Sequence, residues 1–142
     1  MEARFEFTID PIKQADKLKA GLRNKVIRIA INKAASTVKS QVISNAPQRT
    51  GSLKKSIRIK VKNYRAKNVW VAIVGASTSY KRTRKKKIIR PVAYAKLVET
   101  GTKHTSAKPY LKPALAQKQQ EYIQVMTAKI KEQVEQILSQ QA

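Results

Sequence analysis

The run Leu53-Lys54-Lys55-Ser56-Ile57-Arg58-Ile59-Lys60-Val61-Lys62-Asn63-Tyr64, with Val69-Trp70-Val71-Ala72-Ile73-Val74-Gly75 after a short basic turn, carries the clearest structural signal in the chain. In the first stretch Leu53, Lys55, Ile57, Ile59 and Val61 share one side, and Lys54, Ser56, Arg58, Lys60 and Lys62 share the other. A period of two is the signature of a strand with one face on a core and one in water. The second stretch is apolar throughout and rich in β-branched residues, as a strand buried on both faces would be. With Arg65-Ala66-Lys67-Asn68 between them, the two predict an antiparallel hairpin over residues 53–75.

Toward the N-terminus, Gln48-Arg49-Thr50-Gly51-Ser52 is turn-rich, and Asn45-Ala46-Pro47 ends whatever precedes it. Before that, Ala15, Leu18, Leu22, Val26, Ile29/Ala30, Ala34, Val38 and Val42 recur every three or four residues, which predicts a long amphipathic helix. Gly21 is a point where that helix can divide into a short and a long piece. Asp10-Pro11 reads as its start, an N-cap followed by a proline whose missing N–H costs nothing there. Phe5, Phe7 and Ile9 alternate with Arg4, Glu6 and Thr8, predicting a short strand over residues 3–9.

On the C-terminal side, residues 76–90 are polar and then almost all lysine and arginine, predicting an exposed loop or extended hairpin tip at about 76–90. Tyr94, Leu97 and Val98 have helical spacing, and Gly101 is placed to stop a short helix. Pro113 is placed to open a last helix carrying Leu115, Tyr122, Val125/Met126, Ile130, Val134 and Ile137/Leu138 on one stripe. The expected architecture is a single α+β domain over residues 1–142, in which a small antiparallel β-sheet of three to four strands packs against two long amphipathic helices.

Composition narrows the chemistry. The 142 residues include no cysteine and one histidine, His104, so disulfides, thiol catalysis, histidine triads and His- or Cys-based metal sites are excluded. No cofactor is expected. His104, in Thr102-Lys103-His104-Thr105, reads as a surface-loop residue. Gly75-Ala76-Ser77-Thr78-Ser79-Tyr80-Lys81 lacks the second glycine and the Ser or Thr of a phosphate loop. Tyr94 and Tyr110 could stack on bases, but with eight aromatics in the chain core packing is the better expectation. No window approaches 18 consecutive apolar residues and the first residues lack the layout of a secretion signal, so no membrane is expected as a partner.

The charge is one-sided. There are 31 Lys and Arg against 8 Asp and Glu, a net +23, where about 2 to 8 suffices for solubility. The acids are Glu2, Glu6, Asp10, Asp16, Glu99, Glu121, Glu132 and Glu135, so Lys17 to Val98 holds 23 basic residues and no acid. Two runs concentrate the excess, and from them the candidate DNA-facing residues are Lys54, Lys55, Arg58, Lys60 and Lys62, then Lys81, Arg82, Arg84, Lys85, Lys86, Lys87 and Arg90. Such a surface fits a polyanion, with DNA or RNA phosphate the leading candidate. Glu99, alone among cations, is expected in a structural ion pair, within a subunit or across an interface, rather than in catalysis. Metal-assisted phosphodiester cleavage wants clustered carboxylates, so no enzymatic activity is expected.

Three segments occur in order: Ala46-Pro47-Gln48-Arg49-Thr50-Gly51-Ser52-Leu53, then Tyr94-Ala95-Lys96-Leu97-Val98-Glu99-Thr100-Gly101-Thr102, then Pro109-Tyr110-Leu111-Lys112-Pro113-Ala114. Together they resemble the A-P-x-x-T-G-x-L, Y-A-x-x-V-E-x-G-T and P-x-L-x-P-A segments of tailed-bacteriophage neck and tail-completion proteins, over roughly residues 20 to 135. The basic stretch from Tyr80 to Arg90 departs from that pattern. The resemblance implies a virion structural protein, made in the host cytoplasm and acting at the head–tail junction or tail end. It implies a homo-oligomeric ring, a hexamer or dodecamer, around the DNA channel. Its partners would be other neck, portal-side and tail proteins and the packaged double-stranded DNA, bound without regard to sequence. Glu99, Gly51, Gly101 and Pro113 are the candidate structural or interface residues. In a ring the outlying acids would meet a neighbour's lysines. The rival expectation is a sequence-nonspecific nucleic-acid-binding protein of ribosome-associated or nucleoid type.

Overall fold

The computed structural model describes residues 2–7, 19–67 and 69–141. The elements run β1 (Glu2–Phe7), α1 (Ala20–Asn45), α2 (Ser52–Ser56), β2 (Ile57–Tyr64), β3 (Val69–Ala76), β4 (Arg82–Arg84), β5 (Lys87–Ile89), α3 (Pro91–Thr100) and α4 (Leu111–Gln141). One antiparallel sheet has the order β1-β3-β2 and the other is the β4-β5 hairpin, so the α+β expectation holds, with three strands in the main sheet. The expected helix start at Asp10-Pro11 and the segment before Lys19 lie outside the described residues.

α1 and α4 form the helical layer and pack chiefly on each other. α1 buries Val26, Ala30, Ala34, Val38 and Val42 at four-residue steps, with Ile27, Ile31 and Ala35 beside them. α4 answers with Ala114, Tyr122, Met126, Ile130 and Val134, again at multiples of four. Such rows interdigitate as ridges in grooves, and the alanines let the helices approach. Gly21 sits in the first turn of α1, which starts at Ala20 after an extended Lys19; the shorter piece expected before it lies outside the described residues. The helix ends at Asn45, and Pro47 follows Ala46, whose N–H donates to Val42 O at 2.9 Å.

β3 is buried on both faces. Trp70, Ala72 and Val74 join the core under the helices together with Ile57 of β2. On the opposite face Val71 and Ile73 are each 5% exposed, and the register places Lys62 and Lys60 across from them. The aliphatic stems of those lysines can cover the valine and isoleucine while their ammonium groups stay in water.

The strand expected from Leu53 begins only at Ile57. Gly51 takes φ 74 and ψ −5, and Ser52–Ser56 then forms a single helical turn that buries Ser52, Leu53 and Ser56. Leu53 and Ile57 are four apart, so they share a face in a strand and in a helical turn alike, and alternation could not tell the two apart. Ser56 Oγ closes the turn by donating to Leu53 O at 2.6 Å.

The basic stretch forms the β4-β5 hairpin, pairing Arg82 with Ile89, Thr83 with Ile88 and Arg84 with Lys87. Its two-residue tip, Lys85-Lys86, has φ 46 and 65, the pair of positive angles of a type I′ turn that Asn-Gly adopts with least strain. Replacing the tip by Lys85→Asn with Lys86→Gly is expected to stabilise the hairpin by about 1 kcal/mol, slowing amide exchange at Arg84 and Lys87, the hydrogen-bonded pair that closes the tip, about fivefold. Unchanged exchange would mean the lysines sit there without strain.

Candidate functional site

The second and third of the three sequence segments meet at one carboxylate. α3 starts on Pro91 at its first turn and brings Glu99 to its buried end, 4% exposed. There Glu99 Oε2 accepts the backbone N–H groups of Tyr110 at 2.7 Å and Leu111 at 3.0 Å, and Oε1 accepts that of Lys112 at 3.1 Å. These are the free N–H groups at the start of α4, where the helix dipole also favours negative charge. The next residue, Pro113, has no N–H to satisfy, so the first turn is complete. Within the protomer the expectation for Glu99 is corrected: it is structural, but as a helix cap with no cationic partner among the described residues rather than as half of an ion pair. Pro113 falls at the third position of α4 rather than the first, still within the turn that tolerates it.

The chain between α3 and α4 folds back tightly. Gly101 ends α3 with its N–H on Leu97 O at 2.8 Å, and Lys108 N–H donates to Val98 O at 2.9 Å. Thr102 N–H donates to Thr105 O at 2.8 Å, and Thr102 Oγ1 accepts from the backbone of His104 and Thr105. His104 is exposed in this turn, as expected.

Tyr110 is fully buried and its hydroxyl has no hydrogen-bond partner. Burial, with the neighbouring Glu99 and Tyr94 charges, pushes its pKa up from 10 to about 12. The unfolded chain therefore loses this proton near pH 10 while the folded one holds it. The stabilising contribution is full below pH 10 and is lost as pH rises toward 12. Tyr110→Phe is expected to leave stability at pH 7 unchanged or slightly higher and to move the alkaline unfolding midpoint upward, as followed by circular dichroism against pH.

The first segment joins the other two across a cleft of about 520 Å³, walled by the 47–53 turn, the β4-β5 hairpin, α3 and the 105–108 loop. The hairpin wall is tied to the turn by Arg82, whose Nη1 donates to Ser52 Oγ at 3.0 Å and Thr50 O at 3.3 Å. Arg82, expected on the DNA-facing surface, thus spends hydrogen bonds on holding the hairpin. Arg58 likewise turns back on its own backbone, donating to Lys55 O and Ile57 O.

The remaining candidate cations are solvent-facing. Lys55, Lys60, Lys81, Arg84, Lys85, Lys86, Lys87 and Arg90 are exposed, and Lys54 and Lys62 are half-buried. Ala76 lies across from Ile57 in the sheet and Ser77 N–H donates to Ser56 O at 2.8 Å, so the hairpin leaves the sheet beside α2. Lys54 and Lys55 begin the other basic run at that point, and the fold thereby brings the two runs together. Sequence reasoning missed Arg49 and Lys108, which line the cleft from segments with no unusual charge density. Of the outlying acids, Glu121 pairs with Lys118 at 2.6 Å and Glu132 with Lys129 at 3.2 Å. Asp10, Asp16 and the side chains of Glu2 and Glu6 lie outside the described residues.

A small sheet backed by two long helices, closed by a carboxylate-capped helix and strongly basic outside α4, defines an α+β domain. The family model described as "Bacteriophage HK97-gp10, putative tail-component" matches residues 10–101. The chain belongs to this phage tail-component family. No curated protein and no solved structure matches it.

Proposed function

We propose that the chain is a non-catalytic structural protein of the phage neck, at the head–tail connection or as a tail-completion or terminator protein. In this reading copies form a ring around the DNA channel, with the basic surface toward the packaged DNA. Membership of a tail-component family supports a virion role. The observation that carries the rest is the sign of the surface. From Lys19 to Thr100 the only acid is Glu99, and it is buried beneath a helix end, so every exposed charge over that span is positive. A channel that passes any DNA sequence needs phosphate contacts and no base contacts, which a lysine and arginine surface supplies. Among the described residues no group of three or more His, Cys, Asp or Glu converges as a metal site, and no helix is long and apolar enough to cross a membrane.

The test is DNA binding across a salt series with Lys85→Gln, Lys86→Gln and Lys87→Gln combined. Each lost phosphate contact lowers the slope of log affinity against log salt by about 0.9, so the slope is expected to flatten by about 2 to 3 with the fold intact. An unchanged affinity and slope would mean that the hairpin does not face DNA.

A further inference from the structure

The two ends of α4 differ in a way the isolated chain does not explain. Beside its N-terminal end lies the cleft, with an apolar floor of Leu53, Ile89, Tyr94 and Val98. Arg49, Arg84 and Lys108 stand around it, and no acid lines it. At the other end, from Glu132 to Gln141, α4 carries two acids and no cation, although the chain has 31 Lys and Arg. A helix C-terminus bears about half a negative charge and is normally complemented by Lys, Arg or His. Here Glu135 adds to that charge and has no ion-pair partner among the described residues. Leu138, on the same face three residues on, is 41% exposed.

We propose that the cleft receives the C-terminal turns of α4 from a second copy of this chain, Leu138 seating on the apolar floor while Glu135 and the helix C-terminus meet Arg49, Arg84 and Lys108. The occupant follows from sign and chemistry. Glu121, Glu132 and Glu135 are the only acids on the described surface, and of these Glu135 alone makes no ion pair among the described residues, although Lys131 lies one turn before it. It stands beside an exposed leucine that an apolar floor would cover. The reach excludes self-docking. Leu138 is 27 residues beyond Leu111 on one continuous helix, about 40 Å from the cleft end. Donor and acceptor therefore sit at opposite ends of the protomer, so the contact is head-to-tail and repeats from copy to copy, as a rotational ring requires. The inference rests on the ring reading and gives that ring its joint.

Two variants test it by light scattering, each checked for native circular dichroism. The cleft variant combines Arg49→Glu, Arg84→Glu and Lys108→Glu; the helix-end variant combines Glu135→Lys and Leu138→Lys. Each alone is expected to lose assembly and run at the mass of one chain. Mixed in equal amounts they are expected to form a dimer and nothing larger, because one intact cleft meets one intact helix end. Single changes, Lys108→Gln and Leu138→Gln, replace any combination that fails to fold and are expected to weaken assembly at least tenfold. Variants that assemble like the parent overturn this joint but leave the ring standing, as does a mixture that stays monomeric while the parent assembles. A parent chain that is monomeric at every concentration overturns the ring and the joint together.

Discussion

Glu99→Ala is expected to lower the free energy of unfolding by about 4 kcal/mol, measured by urea denaturation, with the loss little changed at high salt. The carboxylate accepts three N–H groups, at 2.7, 3.0 and 3.1 Å, and two of them belong to the buried residues Tyr110 and Leu111. Hydrogen bonds to a charged group contribute about 1.5 to 3 kcal/mol each, and a buried donor left without a partner costs about 1 to 3. Water has little access to the Tyr110 and Leu111 N–H groups, whose residues are fully buried. Glu99→Gln is expected to lose nearly as much, about 3 kcal/mol, because its amide brings one acceptor and turns an NH2 group toward N–H donors. A surface ion pair would behave differently: its contribution would be about 1 kcal/mol or less and would fade with added salt. A small, salt-sensitive loss would therefore remove Glu99 from the role of helix cap.

Gly101→Ala is expected to destabilise the protein by about 3 kcal/mol or more, and to loosen the 105–108 wall of the cleft. Gly101 has φ 77 and ψ 174, a region that side-chain-bearing residues essentially do not occupy. A Cβ there would also lie 2.7 Å from Ala107 N and 3.1 Å from both Ala107 Cα and Thr105 O, all backbone atoms that cannot rotate away. Gly51 supplies the internal control. Its φ is 74, but ψ −5 is ordinary left-handed helix and a Cβ would meet nothing within 4 Å. Gly51→Ala is expected to cost only about 1 kcal/mol. Equal effects at the two positions would mean that neither the ψ of 174 nor the contact with Ala107 adds to the cost of a positive φ at Gly101.

The sheet and the two long helices were legible because their signals are local and repeated. Arg58, Lys60 and Lys62 alternate with Ile57, Ile59 and Val61 over three full periods, and the four-residue steps of α1 run for five turns. The helical turn Ser52–Ser56 was not legible, since one turn is too short for periodicity to separate from a strand. The hairpin tip was equally hidden: Lys85-Lys86 carries no turn signal, and only its two positive φ values show the type I′ geometry.

Glu99 is the more instructive case. A carboxylate alone among 27 Lys and Arg suggests a cationic partner, yet its partners are backbone groups 11 to 13 residues away. A signal did exist. α4 is preceded by Tyr110, which cannot cap a helix through its side chain, and has no acid in its first turn, so its acceptor had to come from elsewhere. The cleft gave no such hint, because its walls come from four segments that only the closed fold brings together.

A structural role at the head–tail junction or tail end is tested by deleting this reading frame from the phage that carries it and viewing the particles by negative-stain electron microscopy. Filled heads lying beside unjoined tails, or tails of irregular length, are expected, with infectivity lost and restored by the gene in trans. Normal, infectious virions from the deletion would contradict it.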